Sequence, residues 1–180
     1  MGRRAILETG RMAIQLNVRD DEYTSRLFPD PVFPFNDYRL LWKQGLALPG
    51  PDPLSSAGDR LVTSYQAAPS GTCSGTVDSK SVIGDMEVAS GWASDRKTGR
   101  AAAGILFTDS AGIIRGTGVA GLSRPDVKVA WSWVTATNVG WHGFIRLPAQ
   151  PLDVYAFAIM PDRRSVCGLG AVWLRSSQHD

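Results

Sequence analysis

Side chains suited to acid–base and metal chemistry are scarce in this chain, which carries two histidines and two cysteines in 180 residues. His179 stands next to the C-terminal end, so a catalytic triad or a zinc site would have to be assembled around His142 alone, and the material is missing. An excess of one charge is lacking as well. The 19 Lys and Arg residues stand against 17 Asp and Glu and are scattered along the chain. No basic stripe exists to neutralise a row of phosphates, which sets nucleic acid aside as a partner. No apolar run reaches the roughly 18 residues that a membrane-spanning helix needs. The opening MGRRAILETGRMAIQL has no continuous apolar stretch and no small-residue cleavage site, and does not read as a signal peptide. Calcium-loop spacing, internal repeats and low-complexity tracts are absent too.

What is present is globular: 43% of residues are hydrophobic and 20% charged, in a chain long enough for one main core with an appendage. The texture changes near residue 70. Residues 1–70 form a proline-rich, partly helical extension, with LFPDPVFPF and LPGPDPL excluding helix interiors and central strands. A short helix is expected through YRLLWKQ, capped by Asn36 or Asp37 and stopped by Gly45, and an earlier one over Arg11 to Phe28. Residues 71–176 read as a β-sandwich domain. Strands are expected near Thr72 to Val77, Asp85 to Ala93, Ala102 to Thr108, Ile113 to Val119, Val127 to Val134, Gly143 to Leu147, Val154 to Ile159 and Ser165 to Leu174. TDSAG and PDRR mark two hairpin turns. The count is that of a Greek-key sandwich, so the fold expected is all-β and immunoglobulin-like with a short helical extension.

Cys73 and Cys167 sit at the margins of this strand-rich block, in GTCSG and SVCGLG. Two buried free thiols are one reading. Their bracketing of the block favours the other, a disulfide formed in an oxidising compartment.

Several apparent motifs yield to plainer readings. GTGVAG, from Gly116 to Gly121, has dinucleotide-binding spacing, but that chemistry needs a helix opening immediately after it. LSRPDV follows, with Pro125 placed to interrupt such a helix, so the glycines read as strand bends and close packing. Asp85, Asp95, Asp109, Asp126, Asp153 and Asp162 fall mostly at turn positions and read as turn formers rather than paired acids.

Tryptophan is abundant, at 42, 92, 131, 133, 141 and 173. Trp92 reads as core. In VAWSWV a strand would turn Trp131 and Trp133 to one face, where paired flat rings suit the apolar face of a pyranose and nearby polar groups suit its hydroxyls. The candidate ligand-binding residues are therefore Trp131, Trp133, Trp141 and His142, against a core or interface role for the same rings. No catalytic or metal residue and no cofactor is assigned.

The series GWASD, GILFTDSAGIIRG, RPDV, GWHGF, LDVYAFAI and CGLG resembles an immunoglobulin-like β-sandwich module of bacterial envelope proteins. More narrowly, it is similar to the C-terminal extracytoplasmic domain of polytopic, glycosyltransferase-like membrane proteins, and LFPDP and LLWKQGLAL fit the segment preceding that domain. The resemblance implies a non-catalytic accessory domain outside the cytoplasmic membrane. Its role would be to recognise envelope carbohydrate or to dock within a membrane-bound glycan-processing parent or partner. The alternatives are a purely structural spacer and, in a different class, a hydrolase using a carboxylate pair with His142.

Overall fold

The computed structural model describes residues 2–28, 35, 53–146 and 152–174. Helix α1 spans Gly2–Gln15, where Ala5, Thr9, Met12 and Ala13 recur at helical spacing and are buried along one face. It stops at Asn17, whose left-handed backbone (φ 57) lets the N–H groups of Asn17 and Val18 donate to the carbonyls of Ile14 and Ala13. A one-turn helix α2, Asp21–Thr24, follows. The expected helix over Arg11 to Phe28 is thus corrected: the helical residues begin earlier, and the Asn17 turn separates DDEYTSR from α1. The helix expected through YRLLWKQ lies outside the described residues.

After a further turn of helix, α3 (Leu61–Ser64), come β1 (Gln66–Ala67), β2 (Cys73–Ile83), β3 (Met86–Asp95), β4 (Gly104–Asp109) and β5 (Ile114–Leu122). Helix α4 (Pro125–Ala130) precedes β6 (Gly140–Arg146), β7 (Leu152–Ile159) and β8 (Ser165–Leu174). All eight strands join one sheet in the order β1-β8-β7-β4-β5-β6-β3-β2, antiparallel except for the β1–β8 pair. The all-β character expected from the sequence is present, with helix concentrated before the sheet. The architecture differs. A sandwich packs two sheets face to face, whereas here one sheet curls on itself as a half-barrel.

Curling has local causes. Register shifts interrupt the ladders at Val77/Ser79, Phe107/Thr108, Ala120/Leu122 and Ala156/Phe157, and each bulge bends and twists its strand. The concave side is filled by Ile105, Phe107, Trp141, Ile145 and Val154 above a floor of alanine. Phe107 lies so close to Gly143 that a Cβ there would sit 2.5 Å from its Cε2. The GTGVAG glycines belong to β5, with no nucleotide-type helix turn at their end, which agrees with the close-packing reading.

Curling brings β8 back against β2, although no ladder joins them, and the Cys73–Cys167 disulfide ties the two strands at a Cα separation of 6.1 Å. On the convex side α1 covers Met86, Val88, Val119, Leu122 and Phe144. Both expected hairpins are present. Asp109 accepts from the N–H groups of Ala111 and Ile113, and Asp162 from those of Arg164 and Ser165.

The short β1 is not among the expected strands, and two of the expected ones change. β2 runs on to Ile83, through exposed DSKS residues that carry no apolar alternation for a sequence reader to follow. The strand expected over Val127 to Val134 is instead helix α4 and a turn. Pro125 occupies the first helical turn, where its missing N–H costs nothing, so it starts this helix rather than interrupting one. Only Val127 and Val134 from that stretch are buried, and the alternation of Val129, Trp131 and Trp133 between them is not used in a sheet.

Candidate functional site

Trp92 leaves β3 near the end of the half-barrel and is 6% exposed, packed with Val127, Val134 and Val139 as the core reading expected. Past it the chain turns sharply. Asp95 accepts from the N–H groups of Lys97 (2.7 Å) and Thr98 (3.2 Å), and Gly99 takes a left-handed backbone. A Cβ on Gly99 would lie 2.5 Å from the Trp133 carbonyl oxygen, so the close approach of the two segments depends on glycine. The Gly99 carbonyl accepts from the N–H groups of Thr135 and Ala136, and the Thr135 hydroxyl donates to the Thr98 carbonyl. These bonds fasten the 95–100 loop to the turn that follows α4.

That turn holds Trp131 and Trp133. Trp131 continues α4 by donating its N–H to the Val127 carbonyl, and Val134 donates to the Trp131 carbonyl. Both rings rest against Trp92 with centroids 6.3 Å away, tilted by 35° and 48°. Trp133 is half-buried and the Arg96 guanidinium lies over it, 5.0 Å from the ring centroid. Trp131 is 50% exposed and Val129 is 87% exposed. The two candidate rings therefore share one support, Trp92, and are carried by a turn rather than by a common strand face.

The other two candidates are buried elsewhere. Trp141 is in the concave core with its ring edge against Phe107, and its Nε1 has no hydrogen-bond partner. His142 is buried on the convex side. Its Nε2 is 2.7 Å from Asp20 Oδ2, with the rings of Tyr23 and Phe144 packed on it. Burial, with Glu22 and Asp20 adding negative charge nearby, pushes the Tyr23 hydroxyl well above its usual range.

Charge on the 95–100 loop and α4 is lopsided. Arg96, Lys97, Arg100 and Lys128 are exposed on the two joined segments and α4. Asp95 is engaged by its own turn, and Asp126 is held by Arg124, whose hydrogen bonds keep that carboxyl below the usual carboxylate range. Arg124 also pairs with Asp78. The residues that sequence reading missed are thus Trp92 as the support of the surface and Arg96 as its cation. The signal was present as GWASDRKTGR, but nothing in one dimension places that loop beside Trp133. Among the described residues no three His, Cys, Asp or Glu side chains gather as a metal-binding group.

No protein-family model matches this chain. Neither a curated protein nor a solved structure matches it significantly.

Proposed function

We propose that this chain is a non-catalytic, extracytoplasmic accessory domain of the bacterial envelope that recognises carbohydrate at the Trp131 surface. One observation carries the reading: Trp131 is a flat ring, half open to solvent, that shares the support of Trp92 with Trp133, over which Arg96 lies. A pyranose stacks its apolar face on such a ring while Arg96, Thr98 or Thr135 reaches its hydroxyls. The disulfide supports an oxidising compartment, and the turn motifs support an envelope module of the kind they resemble. A single shallow site of this sort binds weakly, with Kd around the millimolar range.

Tryptophan fluorescence and NMR shift titration against a panel of envelope sugars test the reading. Saturable shifts centred on the Trp131 indole, lost in Trp131→Ala, support it. Silence across the panel at tens of millimolar leaves a structural spacer. A second reading is docking onto a membrane-bound glycan-processing parent or partner, favoured by Val129 standing 87% exposed on α4, two residues before Trp131.

A further inference from the structure

We infer that the saccharide taken at Trp131 is acidic, a pyranose carrying a carboxylate or phosphate, an inference that rests on the carbohydrate reading above. A neutral sugar needs a ring and a few donors and acceptors. This surface has more. Arg96, Lys97, Arg100 and Lys128 are all exposed on the 95–100 loop and α4, the segments that adjoin it, and none makes an ion pair among the described residues. Elsewhere Arg115 is matched by Asp109, and Arg124 by Asp78 and Asp126. Asp95, bonded only by N–H groups of its own turn, keeps one negative charge and Arg124 with Asp78 and Asp126 keeps another, so the four cations are left with a net excess of two positive charges.

The form of the cation narrows the ligand. Arg96 is laid over Trp133, a contact that leaves its planar fork of N–H donors at the guanidinium edge for an oxyanion. Its backbone is fixed as well, since its N–H donates to the Thr72 carbonyl and its loop is fastened through Gly99. A stacked arginine held in place suits one localised oxyanion better than a diffuse anionic surface. Lys128 stands three residues before Trp131, on the same side of α4 as the start of the exposed turn, and adds attraction from a second direction.

The probes are trigalacturonate, its fully methyl-esterified form, mannose 6-phosphate, mannose, and phosphatidylglycerol vesicles, each titrated into the full chain. The charged member of each sugar pair is expected to bind about tenfold more tightly than its neutral counterpart at low salt. In about 0.5 M salt the preference collapses, because these charges are solvent-exposed. Arg96→Gln and Lys128→Gln each shrink the preference, and Lys128→Gln leaves binding of the methyl ester intact. Preference for only one charged probe identifies which oxyanion the site takes. Equal affinity for charged and neutral members overturns the acidic inference while the carbohydrate reading stands. Absence of binding to every sugar overturns both, and binding to the vesicles alone replaces a saccharide by a lipid surface.

Discussion

The carboxylate of Asp20 and the imidazole of His142 lie 122 residues apart in the chain and 2.7 Å apart in space, Oδ2 to Nε2, both buried. The contact joins the N-terminal helical segment to β6. Asp20→Ala removes one partner and leaves the other polar group sealed beneath Tyr23, so a loss of about 3 kcal/mol is expected in chemical denaturation. The double variant Asp20→Ala/His142→Ala should lose less than the two single losses combined, because the residues share one interaction. Full additivity would show that the pair contributes nothing jointly.

Trp92 and Trp131 form the second coupled pair. Truncating a buried aromatic forfeits transfer and packing energy, so Trp92→Ala should cost about 3 kcal/mol. It should also expose Trp131 further, read as faster quenching of the remaining indole fluorescence by iodide. A loss under about 1 kcal/mol would place the ring outside the core.

The disulfide joins strands that share no hydrogen-bonded ladder, across a separation of 94 residues. Replacing Cys73 and Cys167 by alanine should cost about 4 kcal/mol in the chain-entropy treatment. Thiol titration of the unfolded, unreduced protein should find no reactive thiol. Two reactive thiols, in material made under oxidising conditions, would remove the covalent tie and with it the main support for an extracytoplasmic setting.

Glu87 and Asp109 pull pH dependence in opposite directions. Burial raises the Glu87 carboxyl, with Lys80 acting against it, and Oε1 has no hydrogen-bond partner. The folded chain then keeps a proton that the unfolded chain has released. Glu87 therefore contributes a stability that is full below the ordinary carboxylate range and is lost as pH rises toward the folded value. Glu87→Gln should remove that decline in denaturation curves taken from about pH 4 to pH 8. At Asp109 burial alone would raise the carboxyl, but the N–H of Ile113, the Arg115 guanidinium and the N–H of Ala111 together lower it. Its contribution is present above the ordinary range and fades as pH falls, so Asp109→Asn should flatten the acid side instead. Parallel curves for wild type and both variants would contradict these assignments.

Local chemistry by itself determined the turns, most of the strands, the disulfide partners and the core position of Trp92. Each depends on short-range preferences or a fixed inventory: Asp109 and Asp162 bond to backbone N–H groups a few residues on, and two cysteines allow one intramolecular pairing. Single sheet or sandwich was not legible, because alternation along a strand is the same whether its inner face meets a second sheet or the far side of its own. Tertiary structure decided that, through the bulges and the inner-facing glycines that let Phe107 and Trp141 fill the concavity. It also decided VKVAWSWV, whose period-two pattern promised a strand until the Arg-Pro start and the burial of Val127 and Val134 made a helix and turn of it. Consequently the sequence could propose Trp131 and Trp133 as a pair, but their support by Trp92, the cation over Trp133 and the removal of Trp141 and His142 into separate cores are products of long-range packing.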